Sequence, residues 1–362
     1  MGGYVGRRPA RHAFDLRGRV SAMTTEERRQ LSDAPVPNYH LSERQLERMY
    51  YYMRLSRSLN ERMMALQRQG RAAFVIAGAG QEAAQVGAAM ALRPGVDWLA
   101  PYYRDLGMNI VLGMTAREAM LNELAKADDP NSFGRQMPAH WGSVSRKIVT
   151  QSSVVATQLL HATGIALGAK MRNDPIVVLT CCGEGSTSRG DFHEALNFAA
   201  IHKLPVIFYV QNNGYAISEP TVKEMPVEHV ADRGQAYGIR GQVVDGMDVV
   251  AVYQTLRPAV ELTRRGNGPF LIEAKCYRLW AHSSDDDDTR YRPRKELEEW
   301  ALKDPVVVFR QRLLEDGMFA EEELAEIDEL VTQEVRDAVE WAQQMPDPKP
   351  EDALGYVYRE VQ

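Results

Sequence analysis

The apolar positions along this chain change period several times, and each change marks an element. Leu46, Met49, Met53 and Met63 recur at helical spacing. Ser42 and Gln45 form a capping box in front of them and Gly70 stops the pattern, so a helix is predicted through about Gln69. Residues 80–92 form an Ala-rich helix ended by Pro94-Gly95, and Trp98-Leu99-Ala100 reads as a short strand. Helical period returns over 115–127 and 155–172. Residues 130–153 carry no period; a loop that long in a compact domain is more often functional than idle.

Two continuous apolar runs follow. One, from Ile176, leads into Gly183-Glu184-Gly185-Ser186; the other ends at Val210-Gln211-Asn212-Asn213-Gly214-Tyr215, with Gly190 to Lys203 between them. This is strand, helix, strand: one βαβ unit of a parallel sheet. A right-handed crossover puts both carboxyl ends on one sheet edge, so Glu184 and Asn213 meet where ligands bind such sheets. Asp245-Gly246-Met247 then separates a strand from a helix over 249–264 that Asp248 caps, and Pro269 to Cys276 is a further buried strand. His282 to Arg292 is a polar loop, and acidic helices run on to about Gln344. Pro346, Pro348 and Pro350 mark an extended tail suited to wrapping a neighbour. The expected fold is α/β, a parallel sheet flanked by helices, occupying residues 41–344 between an Arg-rich extension over 1–40 and a tail over 345–362.

The two strand ends carry candidate chemistry. A carboxylate, a carboxamide oxygen and nearby carbonyls are hard oxygen ligands for Mg²⁺, which keeps water and bridges to phosphates. Gly183 and Gly185 are expected to let the backbone approach such phosphates closely. A dinucleotide fingerprint fits poorly, because Ser188 stands where the third glycine belongs and amides end the second strand. A solvated Glu in an ordinary strand-to-helix turn is the bland alternative for Gly-Glu-Gly alone; the Asn pair at the matching strand end argues against it.

The block resembles the thiamine diphosphate motif, and more closely the alpha subunit of the decarboxylase component of 2-oxo acid dehydrogenase complexes, particularly the branched-chain type. The similarity runs from about Leu46 to about Arg312, through Gln67-Arg68-Gln69-Gly70-Arg71, Tyr102-Tyr103-Arg104-Asp105, Gly134-Arg135-Gln136-Met137-Pro138, Ser152 to Gln158 and His282-Ser283-Ser284-Asp285. The resemblance implies a thiamine-diphosphate-binding fold in which Glu184, Asn213 and the Tyr215 carbonyl hold Mg²⁺. It implies that Gly185 and Ser186 offer backbone donors to the diphosphate, that Arg104 reaches it with Tyr103 alongside, and that Gln211, at a position often Arg in relatives, lies beside the cofactor. Ser153 would touch the cofactor, while Ser152, the Val154 carbonyl, Thr157 and Gln158 would bind K⁺; this chain has Val154 where relatives often have Pro. From spacing alone, Ser152 or Ser153 would instead cap the following helix. His282 is the implied catalytic imidazole, able near neutral pH to donate to a developing oxyanion, with His140 a second candidate. Phe74 and Tyr102 are candidates for the substrate pocket.

The implied reaction is decarboxylation of a 2-oxo acid with acyl transfer to the lipoyl group of a partner acyltransferase. No motif here supplies the glutamate that engages the cofactor's aminopyrimidine, so a beta subunit is implied, in a heterotetramer of two alpha and two beta chains. Pyruvate or acetoin stay open as substrates, and so does a non-catalytic subunit that keeps the fold.

Composition narrows the setting. A net charge of −6 argues against a nucleic-acid binder, and no apolar run nears the ~20 residues a membrane span needs. Three cysteines form neither a disulfide framework nor a metal cluster, which points to a reducing compartment. The first thirty residues hold seven Arg against Asp15, Glu26 and Glu27. Such a start suits a bacterial cytoplasmic protein with a surface extension, or an organellar leader to the mitochondrial matrix. Arg290, Tyr291 and Arg292 are placed to pin the Asp285–Asp288 run by ion pairs.

Overall fold

The computed structural model describes residues 35–36 and 39–355; most of the Arg-rich extension lies outside them. A two-residue ladder, β1 (Pro35–Val36) against β2 (Leu41–Ser42), leads into helix α1 (Glu43–Arg68), where Ser42 and Gln45 form the expected capping box. The chain continues through α2 (Glu82–Met90), β3 (Trp98–Ala100), α3 (Leu106–Val111), α4 (Ala116–Glu123), α5 (Thr157–Arg172), β4 (Val178–Gly183), α6 (Gly190–Ile201) and β5 (Val206–Asn212). A small hairpin, β6 (Tyr215–Ala216) with β7 (Glu219–Pro220), precedes the single turn α7 (Thr221–Glu224), β8 (Arg240–Asp245), α8 (Val249–Leu262) and β9 (Phe270–Lys275). Helices α9 (Arg294–Ala301), α10 (Pro305–Glu315) and α11 (Glu321–Gln344) close the fold.

Five strands form one parallel sheet in the order β3-β4-β5-β9-β8. β4 and β5 are apolar almost throughout because helices cover both sheet faces. Alternate residues still go to opposite sides. Ile207 and Tyr209 join the core beneath α1, α2, α8 and α11, while Val206, Phe208 and Val210 join the one beneath α5 and α6. The cores are separate, so β5, buried at every position, is the spine between them. Asp248 caps α8 by accepting from Val250 N and Ala251 N, as expected.

Two buried polar devices fix the layer that faces the site. Arg57 of α1 bonds Glu82 of α2 at 2.6 Å and Asp304, which caps α10, at 2.7 Å. Glu82 in turn accepts from Gly80 N, so the connector carrying Phe74 is tied to three helices. Asp129 accepts from Asn122, Asn131 and Ser132 and holds the start of the 130–153 loop.

The described part of the tail differs from the extended arm expected. It folds onto its own chain: Pro346 O accepts from Ala127 N, Lys126 pairs with Asp347, and a 3₁₀ turn spans Pro350–Leu354 before Gly355 O receives Arg135. The prolines forbid a further α-helix, but the Ala127 N–H and the side chains of Lys126 and Arg135 satisfy the segment locally. Among the described residues no helix is long and apolar enough to cross a membrane.

Candidate active site

The parallel register sets the geometry. Gly183 lies opposite Gln211, and Gln211 opposite Ala274, so the residues just beyond these pairs share one sheet edge. Glu184 and Asn213 meet there as expected: Asn213 N donates to Glu184 Oε2 at 3.0 Å. Glu184 is 1% exposed, and burial pushes its carboxyl up to about 7, with Glu224 adding to the rise and the Asn213 N–H opposing it. Asn213 Oδ1 is buried and has no hydrogen-bond partner. A buried carboxamide oxygen left alone costs about 1–3 kcal/mol, which a cation relieves. The third expected ligand, the Tyr215 carbonyl, accepts from Arg278 at 3.3 Å. One carboxylate beside an unpartnered carboxamide oxygen fits Mg²⁺, a hard ion that takes few protein ligands. Among the described residues no cluster of three or more His, Cys, Asp or Glu offers a rival metal site.

The glycines divide differently from expectation. Space is open at Gly183, where an added Cβ would meet only Asn213 Nδ2 at 4.0 Å. At Gly185 a Cβ would stand 2.7 Å from Ala216 Cβ, so that glycine is required by the hairpin packed on it. Ser186 is buried in the 3₁₀ turn that carries Glu184 into α6.

Arg104 and Arg278 converge on the same edge, at 2% and 1% exposure. Arg104 donates to Ala77 O at 2.7 Å and His282 O at 3.1 Å; Arg278 donates to Ile217 O at 2.8 Å and to the Tyr291 hydroxyl at 3.1 Å. Among the described residues, every partner of either guanidinium is a carbonyl, a hydroxyl or an imidazole. Two buried cations with no hydrogen-bonded carboxylate make an electropositive place, fit for a polyanion, although the Glu184 charge acts on Arg278 and the Asp105 charge on Arg104. Tyr103 lies beneath Arg104, 5.5 Å from guanidinium carbon to ring centroid, and edge-on to His282.

His282 sits between the two arginines, its Nδ1 3.4 Å from each. Guanidinium groups only donate, so Nδ1 is the acceptor and Nε2 carries the hydrogen. Burial first, then Arg104 and Arg278, push the imidazole down to about 3, with Asp286 opposing. His282 is therefore a neutral Nε2–H donor at physiological pH. Its loop is pinned as expected: Arg292 pairs with Asp288, Arg290 with Asp287, and the Tyr291 hydroxyl and His282 N both donate to Asp286. Ser284 exchanges two hydrogen bonds with Val75, which sets half-buried Phe74 beside this loop.

Other expected residues settle elsewhere. Tyr102 is 6% exposed, gives its hydroxyl to Gln81 Oε1 at 3.1 Å and packs edge-on against Tyr103, while Phe74, the other pocket candidate, is half-buried. Gln211 is fully buried; its Nε2 donates to Asp105 Oδ1 at 2.6 Å and its Oε1 accepts from Gln85 at 3.3 Å. That carboxamide braces the Arg104 turn from below, since Asp105 also accepts from Tyr102 N. Burial pushes the Asp105 carboxyl up to about 7, against the opposing pull of its hydrogen bonds from Tyr102 N and Gln211 and of the Arg104 charge.

His140 and Ser153 come together: His140 Nε2 lies 2.7 Å from Ser153 Oγ and Nδ1 3.0 Å from Pro138 O. The carbonyl requires Nδ1–H, so in the neutral ring Ser153 donates to Nε2. Neither Ser152 nor Ser153 caps α5; its cap is Ala156, at φ 75°. Ser152 Oγ accepts from Val154 N, Thr157 opens the helix and Gln158 donates to Cys181 O, so the expected K⁺ ligands share one turn whose Val154 is 60% exposed.

Residues 50–351 match the family model described as "Dehydrogenase E1 component". The chain belongs to this E1 family. It is 49% identical over 319 residues to "2-oxoisovalerate dehydrogenase subunit alpha" of Bacillus subtilis (strain 168), covering 88% of this chain and 96% of that protein. Identity is 38% over 332 residues to "3-methyl-2-oxobutanoate dehydrogenase subunit alpha" of Mycobacterium tuberculosis (strain CDC 1551 / Oshkosh), 89% of this chain and 86% of the relative. A "Pyruvate dehydrogenase E1 component subunit alpha" of Bacillus subtilis (strain 168) is 37% identical over 332 residues, 91% and 86% of the two chains. The matched range includes Glu184, Asn213, Arg104, Arg278 and His282.

Arg278, Asp105, Glu224 and Asp286 were missed as site residues by sequence reasoning. Asp286 lay in the Asp285–Asp288 run already expected to be pinned, and Arg278 had a usable signal as an arginine three residues past an apolar strand whose neighbours end at ligand positions.

Proposed function

We infer that this E1 chain is the alpha subunit of a thiamine-diphosphate-dependent 2-oxo acid dehydrogenase acting on branched-chain substrates. The observation that carries the reading is the pairing, on one sheet edge, of a buried carboxylate and an unpartnered carboxamide oxygen with two buried arginines that hydrogen-bond no carboxylate. When bound, thiamine diphosphate supplies the nucleophilic carbon and the electron sink for decarboxylation. Glu184, Asn213 and the Tyr215 carbonyl would hold Mg²⁺, and Arg104 and Arg278 would meet the diphosphate charge. His282, kept neutral, presents an Nε2–H to oxygen charge that develops on the substrate. The Ser284–Val75 bridge and the Asp286 bonds hold that donor still, so little ordering is needed during reaction. The 152–158 turn, exposed over 152–155 in the single chain, suits K⁺ binding once a partner covers it.

A beta subunit fits this chain's open surface. On α5, Leu160, Gly164, Gly168 and Met171 recur at helical spacing, with Met171 77% exposed and nothing within 4 Å of a Cβ at either glycine. Ile201, 67% exposed on the neighbouring α6, extends the strip. Such a face admits a close-packed helix. The aminopyrimidine carboxylate would come from that subunit, in an assembly of two alpha and two beta chains, and acyl transfer would go to a lipoyl-bearing acyltransferase.

Calorimetry with thiamine diphosphate and Mg²⁺ on the assembled enzyme tests the reading. Glu184→Ala is expected to abolish Mg²⁺-dependent binding, and unchanged affinity rejects the ion site. Steady-state comparison of pyruvate with 3-methyl-2-oxobutanoate tests the substrate; higher kcat/KM for pyruvate overturns the branched-chain assignment. The purified chain alone is expected to be inactive.

A further inference from the structure

Asn212, the first of the two asparagines, takes no part in the ion site above, yet it is 4% exposed and bonded at both ends of its carboxamide. Its Nδ2 donates to Glu273 Oε1 at 2.7 Å, and its Oδ1 accepts from Gly214 N at 3.1 Å, with Thr221 Oγ1 at 3.5 Å. Glu273 stands on β9, 0% exposed. Besides Asn212 it receives Lys275 Nζ at 2.6 Å and Ala231 N at 3.0 Å.

We propose that Glu273, acting through Asn212, is the positioning residue that presets the ion-binding turn at Asn213-Gly214-Tyr215. The proposal rests on the Mg²⁺ reading given above. A carboxylate only accepts, so Glu273 dictates which way the Asn212 carboxamide faces. The amide nitrogen must turn to β9, and the oxygen must turn to the loop, where it captures Gly214 N. Gly214 sits at φ 88°, a left-handed reversal, and its own carbonyl accepts from Thr221 N at 3.0 Å. Between these anchors stands Asn213, whose N–H is held by Glu184 and whose Oδ1 is left unpartnered. The turn is thus gripped by two carboxylates, Glu184 just past the end of β4 and, through Asn212, Glu273 on β9. Only the first is a candidate ligand. A fully buried carboxylate is costly unless its oxygens are filled, and ion chemistry does not call for one at 273. Orientation of the turn does.

Substitution separates the roles. In Glu273→Gln, one amide orientation sets NH₂ against Asn212 Nδ2 and the other sets it against Ala231 N. In the first orientation the acceptor that selects the Asn212 orientation is lost; in the second a neutral oxygen still accepts from Asn212 Nδ2, more weakly than a carboxylate does. Asn212→Ala removes the grip on Gly214 while leaving Glu273 with Lys275 and Ala231, so it serves if Glu273→Gln fails to assemble. Lys275→Met is the control: its Nζ meets the same carboxylate but makes no hydrogen bond to the Asn212 carboxamide, and the backbone pairing of Lys275 with Asn212 is kept in the variant.

The probe is Mn²⁺, titrated into the assembled alpha–beta enzyme with thiamine diphosphate and followed by the electron paramagnetic resonance signal of the free ion. Glu273→Gln and Asn212→Ala are each expected to weaken Mn²⁺ binding about tenfold, the loss of one net hydrogen bond's worth of organisation. Lys275→Met is expected to stay within about twofold, even where all three lower the melting temperature alike. Wild-type Mn²⁺ affinity in both Glu273→Gln and Asn212→Ala overturns the proposal, as does an equal loss in Lys275→Met. Glu184→Ala distinguishes the two levels: if it too binds Mn²⁺ normally, the ion site itself is misplaced.

Discussion

His282 is held neutral across the physiological range, and chemical modification can read this directly. Between a free-chain value of about 6.5 and about 3 in the fold, protonation in place is disfavoured by on the order of 5 kcal/mol. Burial gives the largest part, and two guanidiniums 3.4 Å from Nδ1 give much of the rest. Diethyl pyrocarbonate attacks only neutral imidazole. An ordinary histidine therefore loses about tenfold in rate from pH 7.5 to 5.5, and N-acetylhistidine in the same tube supplies that reference. Per-peptide mass spectrometry should show the His282 rate changing by under about 10% over this interval. Arg278→Gln should lift the His282 pKa by about 1–2, so a fall in rate becomes visible near pH 5. Because the folded value lies below the unfolded one, the stability this group contributes is complete above about pH 6.5. It is lost at about 1.4 kcal/mol per pH unit as pH falls from there towards 3. A tenfold loss of rate by pH 5.5 in the wild type would refute the argument, since it would show an imidazole free of both arginines.

Three further outcomes follow from buried groups. Glu123 is 2% exposed with Oε1 unpartnered, and burial alone raises its carboxyl well above the usual range. Stability from the neutral form is present below about 4.5 and lost as pH rises, so the advantage of Glu123→Gln should grow by about 1.4 kcal/mol per pH unit until the buried group ionises. Denaturation at pH 5 and pH 8 checks this, and an equal effect at both would reject it. Arg57→Met strands Glu82 and Asp304 and should cost about 3–5 kcal/mol by chemical denaturation, whereas the double change with Glu82→Gln should recover part of it. Gly185→Ala drives a methyl into Ala216 and should cost about 1–3 kcal/mol while lowering Mn²⁺ affinity; unchanged affinity would mean the hairpin yields without moving Glu184.

The sequence by itself determined the elements and their ends. Continuous apolar runs marked β4 and β5, the Ser42–Gln45 box and Asp248 fixed helix starts, and the crossover rule brought Glu184 to Asn213. These are local or pairwise consequences of backbone chemistry, so they survive without knowledge of the rest. The tertiary structure decided what depends on which face and which neighbour. A strand buried on both sides has no polar alternation, so nothing in the pattern showed that Gln211 turns to Asp105 while Asn212 turns to Glu273. The placement of β9 between β5 and β8 is not written in chain order, yet it brings Glu273 and Arg278 to the site. The electropositive centre is likewise a property of assembly. Arg104 and Arg278 are 174 positions apart in the chain, and their charge matters because packing removed both from water and gave neither a hydrogen-bonded carboxylate.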